Sequence, residues 1–510
     1  MTTRQTLTVV LAVLTVLLAP SRADAAVPVL VVDGAGFGHG VGMAQDGAYW
    51  MGRAGATTGD ILGHFYPGVS LGRSSGVVRV EVLSKDERDL IVTFPNGGEM
   101  RSPITGAQSA GFPVSVPPGG AVRIRFDGTY HVTPAGAVHA QSASAPLLLP
   151  IPTTTTPPRS TTTTTAPAVP VHPTTSTTGP PTTSTTSTTS PTSAERTSPT
   201  SVWAVPANGG TVGVPDRGAR YRGAVEANAS GGPLRLIDQL DVEDYLRGMG
   251  EVRDPSWPAA SLRAQATVAR TYALRAMRAS GEICDTERCQ VYLGQQAEYP
   301  AMDRAVADTA GQVLLYHGAY AAAVYSANGA GVSASPNEGF GTPDDAYPYL
   351  RAAAYETHSP DPWQVRIALQ DLASRVHYRG ALSAVTVAAT GASGRPTVVA
   401  LDGSAGATTI AATDLDHALG LRSTKWTVRL ETGEPPAPPP VADAIQSLPD
   451  VSTTPPVAAA HAERATVALT PPLANHHGRT PVLPAAVTIL LGTACSVVVR
   501  RSPDEPDPAD

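Results

Sequence analysis

The chain has 510 residues and a formal net charge of −7 at pH 7. An acidic chain of this kind offers no basic face for nucleic acid. The sequence also lacks a Gly-Lys-Ser/Thr loop and a Gly-x-Gly-x-x-Gly string after a strand, so a nucleotide-binding site is not expected.

Residues 1–25 are predicted to be a secretory signal peptide. Arg4 precedes an uncharged, apolar run over residues 7–19, and the small-residue pattern Ala23-Asp24-Ala25 follows it. The run is too short to be a membrane span, and the pattern after it fits cleavage behind Ala25. We therefore expect an exported protein.

Residues 27–142 are predicted to form an ordered region made mostly of strands. Apolar and polar residues alternate in part over 77–83 and cleanly over 121–126, and the apolar run 90–94 ends in a Pro-Asn-Gly-Gly turn. Two later segments have too few large apolar residues to form a core. Residues 150–201 are dominated by Thr, Ser and Pro, and residues 434–480 are rich in Pro, Ala and Thr. We expect both to be disordered, the first as a candidate for O-glycosylation and the second as a stalk.

The region 202–432 begins with similar strands and then becomes helical. A helix is expected from Pro258 to about Ser280, with Arg263, Gln265 and Arg270 off its apolar stripe. The stripe consists of Leu262, Ala266, Ala269, Ala273 and Ala276. A further helix is expected over 303–309, followed by a strand pair, 313–316 and 321–325, that turns at His317-Gly318. This mixture predicts an α+β fold with antiparallel sheets and a few helices.

The C-terminal end carries a predicted membrane anchor. Residues 482–499 are mostly apolar and uncharged, Arg500 and Arg501 follow at once, and residues 500–510 form an acidic tail. About eighteen residues is near the lower limit for spanning a bilayer, and the two arginines fit a stop-transfer signal with a cytoplasmic tail. We expect a protein of the cell envelope, anchored in the cytoplasmic membrane with its folded part outside.

Several unusual strings in the ordered regions resemble one family. They are VEDYLRGMGE at 242–251, LRAQA at 262–266, ARTYA at 269–273, CQVYLG at 289–294, TAGQVL at 309–314, YSANG at 325–329, GHGVGMAQDGA at 38–48 and FYPG at 65–68. These resemble the stage II sporulation protein D family, also called the SpoIID/LytB type. The resemblance implies a lytic transglycosylase that acts on peptidoglycan glycan strands. It also implies an alternative, a non-catalytic module that binds peptidoglycan and enhances a cell-wall amidase.

The chain departs from the family in order and in detail. The GHGVGM string lies near the C-terminal end of other members but comes first here. If the fold is retained, this string must return to pack beside Glu251, as in a permuted chain. The usual Pro-x-Glu-Met-Pro turn is replaced by Gly-Glu-Val-Arg-Asp-Pro at 250–255, and Asp46 replaces the aromatic residue common after the glutamine.

Glu251 is the predicted catalytic residue. Cleavage of a glycosidic bond needs a proton on the bridging oxygen, and a carboxylic acid with a raised pKa can deliver it at neutral pH. The resemblance implies that the same group then takes the proton of the sugar's C6 hydroxyl, which closes an anhydro ring. It also implies that Arg270 lines the site, to bind substrate or to steady the Glu251 carboxylate. The plain alternative for Arg270 is a surface arginine.

Other polar residues are expected to serve this site. Tyr325 is assigned to catalysis, and the remainder are assigned to substrate binding: His39 and Gln45 of the glycine-rich string, Gln265 of the helix, and Ser326 and Asn328 before a glycine turn. A hairpin turn at 325–329 and a tight turn with an exposed His39 are the structural alternatives.

The two cysteines of the exported region, Cys284 and Cys289, close a short loop. A disulfide is the default in an oxidising compartment. Zinc at this loop is the weaker alternative, because it would need further ligands and Arg288 stands where we would look for a histidine. No cofactor or metal is therefore predicted.

Overall fold

The structure is a computed structural model that describes residues 27–135, 194–230 and 232–433. The predicted signal peptide, stalk, membrane-spanning segment and cytoplasmic tail lie outside these ranges, as does most of the Thr/Ser/Pro-rich segment. Within the described ranges, no helix is long and apolar enough to cross a membrane.

Eight α-helices and twenty-four strands occur in the described residues. The helices are α1 (Gln45–Arg53), α2 (Thr58–Phe65), α3 (Val242–Arg247), α4 (Ala259–Ala279), α5 (Pro300–Asp308), α6 (Pro336–Phe340), α7 (Leu369–Arg375) and α8 (Ala412–Leu419). The first strands are β1 (Val27–Ala35), β2 (Met43–Ala44), β3 (Ser70–Arg73), β4 (Val77–Lys85), β5 (Asp89–Phe94), β6 (Gly98–Arg101), β7 (Val114–Val116), β8 (Gly120–Phe126) and β9 (Tyr130–Ala135). The middle strands are β10 (Arg196–Ser198), β11 (Val202–Pro206), β12 (Val212–Val214), β13 (Ala219–Tyr221), β14 (Ala224–Asn228), β15 (Leu234–Asp241), β16 (Ile283–Cys284) and β17 (Gln312–Tyr316). The last are β18 (Ala319–Tyr320), β19 (Tyr325–Ser326), β20 (Pro362–Ala368), β21 (Leu382–Thr390), β22 (Pro396–Gly403), β23 (Thr408–Ala411) and β24 (Trp426–Gly433).

Two large sheets carry most of the first half of the described fold. One has the order β10-β9-β8-β5-β12-β13 and the other the order β16-β4-β15-β14-β11-β6-β7. Their neighbouring strands are antiparallel except β16 and β4. Alternating apolar residues of both sheets, such as those of β4 and β5, meet in one hydrophobic core. The predicted α+β fold with antiparallel sheets is confirmed. The expectation of disorder over 150–201 is wrong for its last residues: β10 lies within that segment and is ordered because it pairs with β9.

Helix α4 lies between two hydrophobic cores. It begins at Ala259 with Pro258 as the N-cap and ends at Ala279, close to the predicted bounds. Its predicted apolar stripe packs into the core of the large sheets, whereas Ala264 and Val268 join a second core. Because α4 is covered on two sides, Gln265 and Arg270 are also buried although they lie off the stripe.

The glycine-rich string returns to the middle of the chain, as expected for a permuted order. Strand β2 pairs in parallel with β19, with Met43 opposite Tyr325. A Cβ atom on Gly42 would lie 2.0 Å from the carbonyl oxygen of Val324, so this approach requires glycine. The pairing also corrects a prediction: β17 forms its hairpin with the short β18, while Tyr325 pairs with β2 instead.

The end of the described chain forms a third core with its beginning. Strand β1 lies between β20 and β24, and both pairings are antiparallel. Helices α7 and α8 and the sheet β21-β22-β23 pack on this layer. A segment from the start of the chain thus completes a sheet whose other strands come from the end.

Candidate active site around Glu251

The backbone around Glu251 is fixed by close packing against residues 291–293. Glu251 follows α3 in the loop that leads to α4, and the amide of Gly250 donates to the carbonyl of Val291 at 2.8 Å. A Cβ atom on Gly248 would lie 2.6 Å from the ring of Tyr292. The two glycines of the Gly-Met-Gly turn therefore let two backbone segments approach closely and aim Glu251 inward.

Three donors from separate parts of the chain bind the Glu251 carboxyl group. The hydroxyl of Tyr325 donates to Oε2 at 2.5 Å, and the side-chain amide of Gln265 donates to the same oxygen at 3.2 Å. The backbone amide of Val291 donates to Oε1 at 3.1 Å. Strand β19, helix α4 and the loop after β16 thus position one carboxyl group.

A second layer of hydrogen bonds holds two of these donors. Gln290 donates to the hydroxyl of Tyr325 at 2.9 Å and accepts from the hydroxyl of Tyr245 at 3.1 Å. Gln45 of the glycine-rich string donates to the side-chain oxygen of Gln265 at 3.3 Å. The structure therefore brings Gln45, Gln265 and Tyr325 to Glu251. Gln290 and Tyr245 were not expected here, although both stand in strings that carry the family resemblance.

The surroundings of Glu251 favour its protonated form. Burial raises the pKa of Glu251 to about 7, while the hydrogen bonds from Tyr325 and the Val291 amide oppose the rise. A small cavity beside the carboxyl group has a largely apolar lining: Leu246, Met249, Val252, Ala266, Ala269 and Met302. Glu251 nevertheless keeps partial exposure to solvent. A largely buried carboxyl group that keeps some access to solvent can exchange a proton with a ligand near neutral pH.

Arg270 lies away from Glu251, contrary to expectation. Its guanidinium group is fully buried and binds Glu243 through two hydrogen bonds, Nη2 to Oε2 at 2.6 Å and Nε to Oε1 at 2.9 Å. Its Nη1 also donates to the carbonyl of Gln312 at 3.1 Å. None of its hydrogen bonds within the described residues reaches Glu251. The reason is that this side of α4 packs against α5 and β17.

Ser326 ends β19, and Asn328 lies in the turn that follows it. Ser326 is buried, and its hydroxyl finds no partner among the described residues. Asn328 donates to the carbonyl of Ser359 at 2.6 Å and accepts from the amide of Ala330 at 2.8 Å. Both polar atoms of the Asn328 side chain thus bind backbone groups, which matches the turn alternative for this string.

His39 lies in the glycine-rich loop against aromatic and backbone groups. Its Nδ1 accepts from the amide of Val41 at 3.0 Å, and its ring centroid is 4.6 Å from that of Phe340. Burial is the main cause that lowers the pKa of His39 to about 4; the charge of Arg395 acts in the same direction, and a backbone hydrogen bond with Tyr325 opposes it. The imidazole is therefore neutral at neutral pH and shapes the loop without adding charge.

A second carboxyl group, that of Asp46, lies next to Gln45 on α1. Tyr355 and Thr357 donate to it at 2.8 and 3.0 Å, and the amide of Gly329 donates at 3.3 Å. Burial raises the pKa of Asp46, and these hydrogen bonds oppose the rise. The sequence indicated only that Asp46 is unusual at its position. It did not indicate a partner more than 300 residues away.

Cys284 and Cys289 are joined by a disulfide, with Cα atoms 5.5 Å apart. The bond closes the loop that leads into Gln290 and Val291, two residues of the site. Elsewhere in the described ranges, no three His, Cys, Asp or Glu side chains are grouped to hold a metal ion.

Comparison with known proteins gives two matches. Residues 230–316, which include α3, α4 and Glu251, match the model of the SpoIID family, described as "Stage II sporulation protein". An uncharacterised protein of Brachyspira hyodysenteriae (strain ATCC 49526 / WA1) is 30% identical over 139 residues, which are 26% of this chain and 37% of that protein. The similarity thus spans just over a third of the relative's length. No solved structure matches the chain.

Proposed function

We propose that this protein is a lytic transglycosylase that cuts the glycan strands of peptidoglycan. The premise is the match of residues 230–316 to the SpoIID family. Glu251 would act first as the acid and then as the base. The family is associated with cell-wall lytic activity, which supports the general class of reaction. The specific reaction rests on the Glu251 carboxyl group. One observation carries it: a partly exposed carboxyl group with a pKa of about 7, held by three donors.

The two carboxyl oxygens suggest how the proton moves. Oε2 already accepts from Tyr325 and Gln265, whereas Oε1 accepts from the Val291 amide. We assign the acidic proton to Oε1, because Oε1 accepts one hydrogen bond and Oε2 accepts two. Tyr325 and Gln265 hold the group in place while its charge changes.

The reaction would proceed in two steps without water. In the first, Oε1 gives its proton to the bridging oxygen, and the bond between that oxygen and the sugar C1 breaks. In the second, the Glu251 carboxylate takes the proton of the C6 hydroxyl as O6 bonds to C1. Glu251 is protonated again, and the cut end carries a 1,6-anhydro ring.

We also propose that the reaction takes place outside the cytoplasmic membrane. Residues 1–25 and 482–499 support this location by their sequence patterns alone. Protease added to intact protoplasts should digest the folded part, and the uncut protein should sediment with membranes. Protection of the folded part from protease would refute this location.

The test of function is digestion of purified glycan strands by the full-length protein and by Glu251→Gln, with products read by mass spectrometry. Asp308→Asn is a matched control, because Asp308 pairs with Arg263 at an exposed site. Anhydro ends from the wild type and the control, but not from Glu251→Gln, are expected. Reducing ends would indicate a hydrolase. Strands that are bound but left uncut by every form would favour the amidase enhancer, which could then be tested by adding a cell-wall amidase.

A further inference from the structure

A row of partly exposed rings begins at the loop that carries Glu251. Trp257 ends this loop, and its ring centroid is 5.3 Å from that of Tyr49. Tyr49 is 5.0 Å from Trp50, and Trp50 is stacked on His358 at 4.1 Å with an interplanar angle of 20°. None of these four side chains is fully buried, and that of His358 is 56% exposed. We call these four residues the aromatic row.

Helix α1 connects the aromatic row to the candidate active site. At its first turn, Gln45 binds Gln265, which in turn binds Glu251. Tyr49 and Trp50 follow one turn later on the same helix. The helix therefore has one end in the hydrogen-bond network of Glu251 and displays aromatic rings beyond it.

Asp46 holds the far end of the aromatic row in place. Tyr355 and Thr357 donate to the Asp46 carboxyl group, so the segment 355–358 is fastened across α1. Asp46 and Trp50 are four residues apart and therefore share one face of the helix. The fastening thus brings His358, the next residue after Thr357, onto the Trp50 ring. The three hydrogen bonds to the Asp46 carboxyl group therefore hold the aromatic row in a defined arrangement.

We propose that the aromatic row binds sugar rings of the glycan strand next to the bond that Glu251 cuts. Exposure of several large rings to water costs free energy. A cluster of such rings on the surface therefore indicates a binding site. The C–H face of a pyranose ring is apolar and packs on an aromatic ring, while its edge carries hydroxyl groups for polar neighbours such as Asp46 and Thr357. The row starts at the Glu251 loop, so its occupant is a further part of the same strand. This inference rests on the proposed function.

The test measures binding of glycan strands freed of stem peptides, with all proteins in the Glu251→Gln form so that strands stay intact. Trp50→Ala should weaken binding about tenfold, because it removes one stacking surface. Trp50→Phe keeps a ring and should bind nearly as tightly as the parent. Thermal unfolding of both variants checks that each is folded.

The outcomes separate this inference from the proposed function. If Trp50→Ala and the parent bind strands equally, the aromatic row is not a sugar site, whereas cleavage by the wild type would still support the enzyme. If Trp50→Phe loses as much as Trp50→Ala while both are folded, the stacking argument is refuted. If the parent binds no strand, and the wild type cuts none, both proposals are overturned.

Discussion

Two glutamates that lie within one short string of this chain have opposite surroundings. Glu243 binds the buried guanidinium of Arg270 through two hydrogen bonds and also accepts from the amide of Gly311 at 2.9 Å. Among the described residues, Glu251 binds three neutral donors and no cation, and it adjoins an apolar cavity. Glu243 thus serves as the counter-ion of a buried arginine, whereas Glu251 has no cation beside it that would hold it in the charged form. The nature of the partner, more than the residue type, thus separates the structural acid Glu243 from the acid that we propose to be catalytic.

The largest expected effect is on the rate of cleavage. Glu251→Gln removes the proton that the proposed reaction needs and should lower kcat by about 10²–10⁴-fold. Glu243→Gln should leave the kcat of its folded fraction close to that of the wild type. Equal losses of kcat in the two variants would erase the distinction between the two glutamates. The rates should be measured as release of anhydro ends from glycan strands.

For the free energy of unfolding, we expect the substitution of Glu243 to have a large effect. Glu243→Gln leaves the buried charge of Arg270 without its counter-ion and should lower the free energy of unfolding by about 3–5 kcal/mol. Asp308→Asn breaks an exposed ion pair with Arg263 and should cost less than about 1 kcal/mol. Urea unfolding measures both. A Glu243→Gln protein as stable as Asp308→Asn would show that the buried pair contributes little.

The pH dependence of stability sharpens the comparison further. The pKa of Glu251 rises from its ordinary value of 4.5 to about 7 on folding. The contribution of this group to stability is therefore full below about pH 4.5 and is lost as the pH rises through about 7. Glu251→Gln has no such loss, so its stability relative to the wild type should increase by about 2–3 kcal/mol between pH 4.5 and pH 8. A pH-independent difference would contradict the raised pKa.

The smallest expected effect concerns the hydroxyl of Tyr325. Its hydrogen bond opposes the rise in the pKa of Glu251, so Tyr325→Phe should raise that pKa and move the alkaline limb of kcat/KM to higher pH. The rate at the optimum should fall about tenfold, because one positioning contact is lost. Tyr299→Phe is the matched control: its hydroxyl donates to the carbonyl of Val252, beside the site but away from the carboxyl group. A shift of the same size in the control would mean that the pH profile does not report the Tyr325 contact.

Local sequence patterns predicted much of the fold, and the family resemblance predicted some residues of the candidate site. The bounds of α4 and the strands β4, β5 and β8 follow from residue periodicity, which depends on neighbours in sequence. Glu251, Gln265 and Tyr325 were expected because the strings around them resemble one family. Their meeting in one hydrogen-bond network could not be derived from spacing.

The position of Arg270 and the contacts of Asp46 could not be predicted from the sequence, for physical reasons. The side of α4 that carries Arg270 looks polar in sequence, yet a second layer of chain covers it, and an ion pair with Glu243 satisfies its charge. Likewise, the contact of Asp46 with Tyr355 joins segments 309 positions apart, and no local pattern records such a distance.

The pairing of β1 with β24 has a mechanical consequence. Val27 lies opposite Gly433, and the pairing continues to Gly34 opposite Trp426. A force applied at Gly433 in the direction of β24 would act on the whole ladder of hydrogen bonds between β24 and β1 at once. A ladder loaded in shear resists rupture better than one peeled open from its end. If the predicted anchor beyond Gly433 pulls along β24, the strand pair is therefore loaded in its more resistant direction.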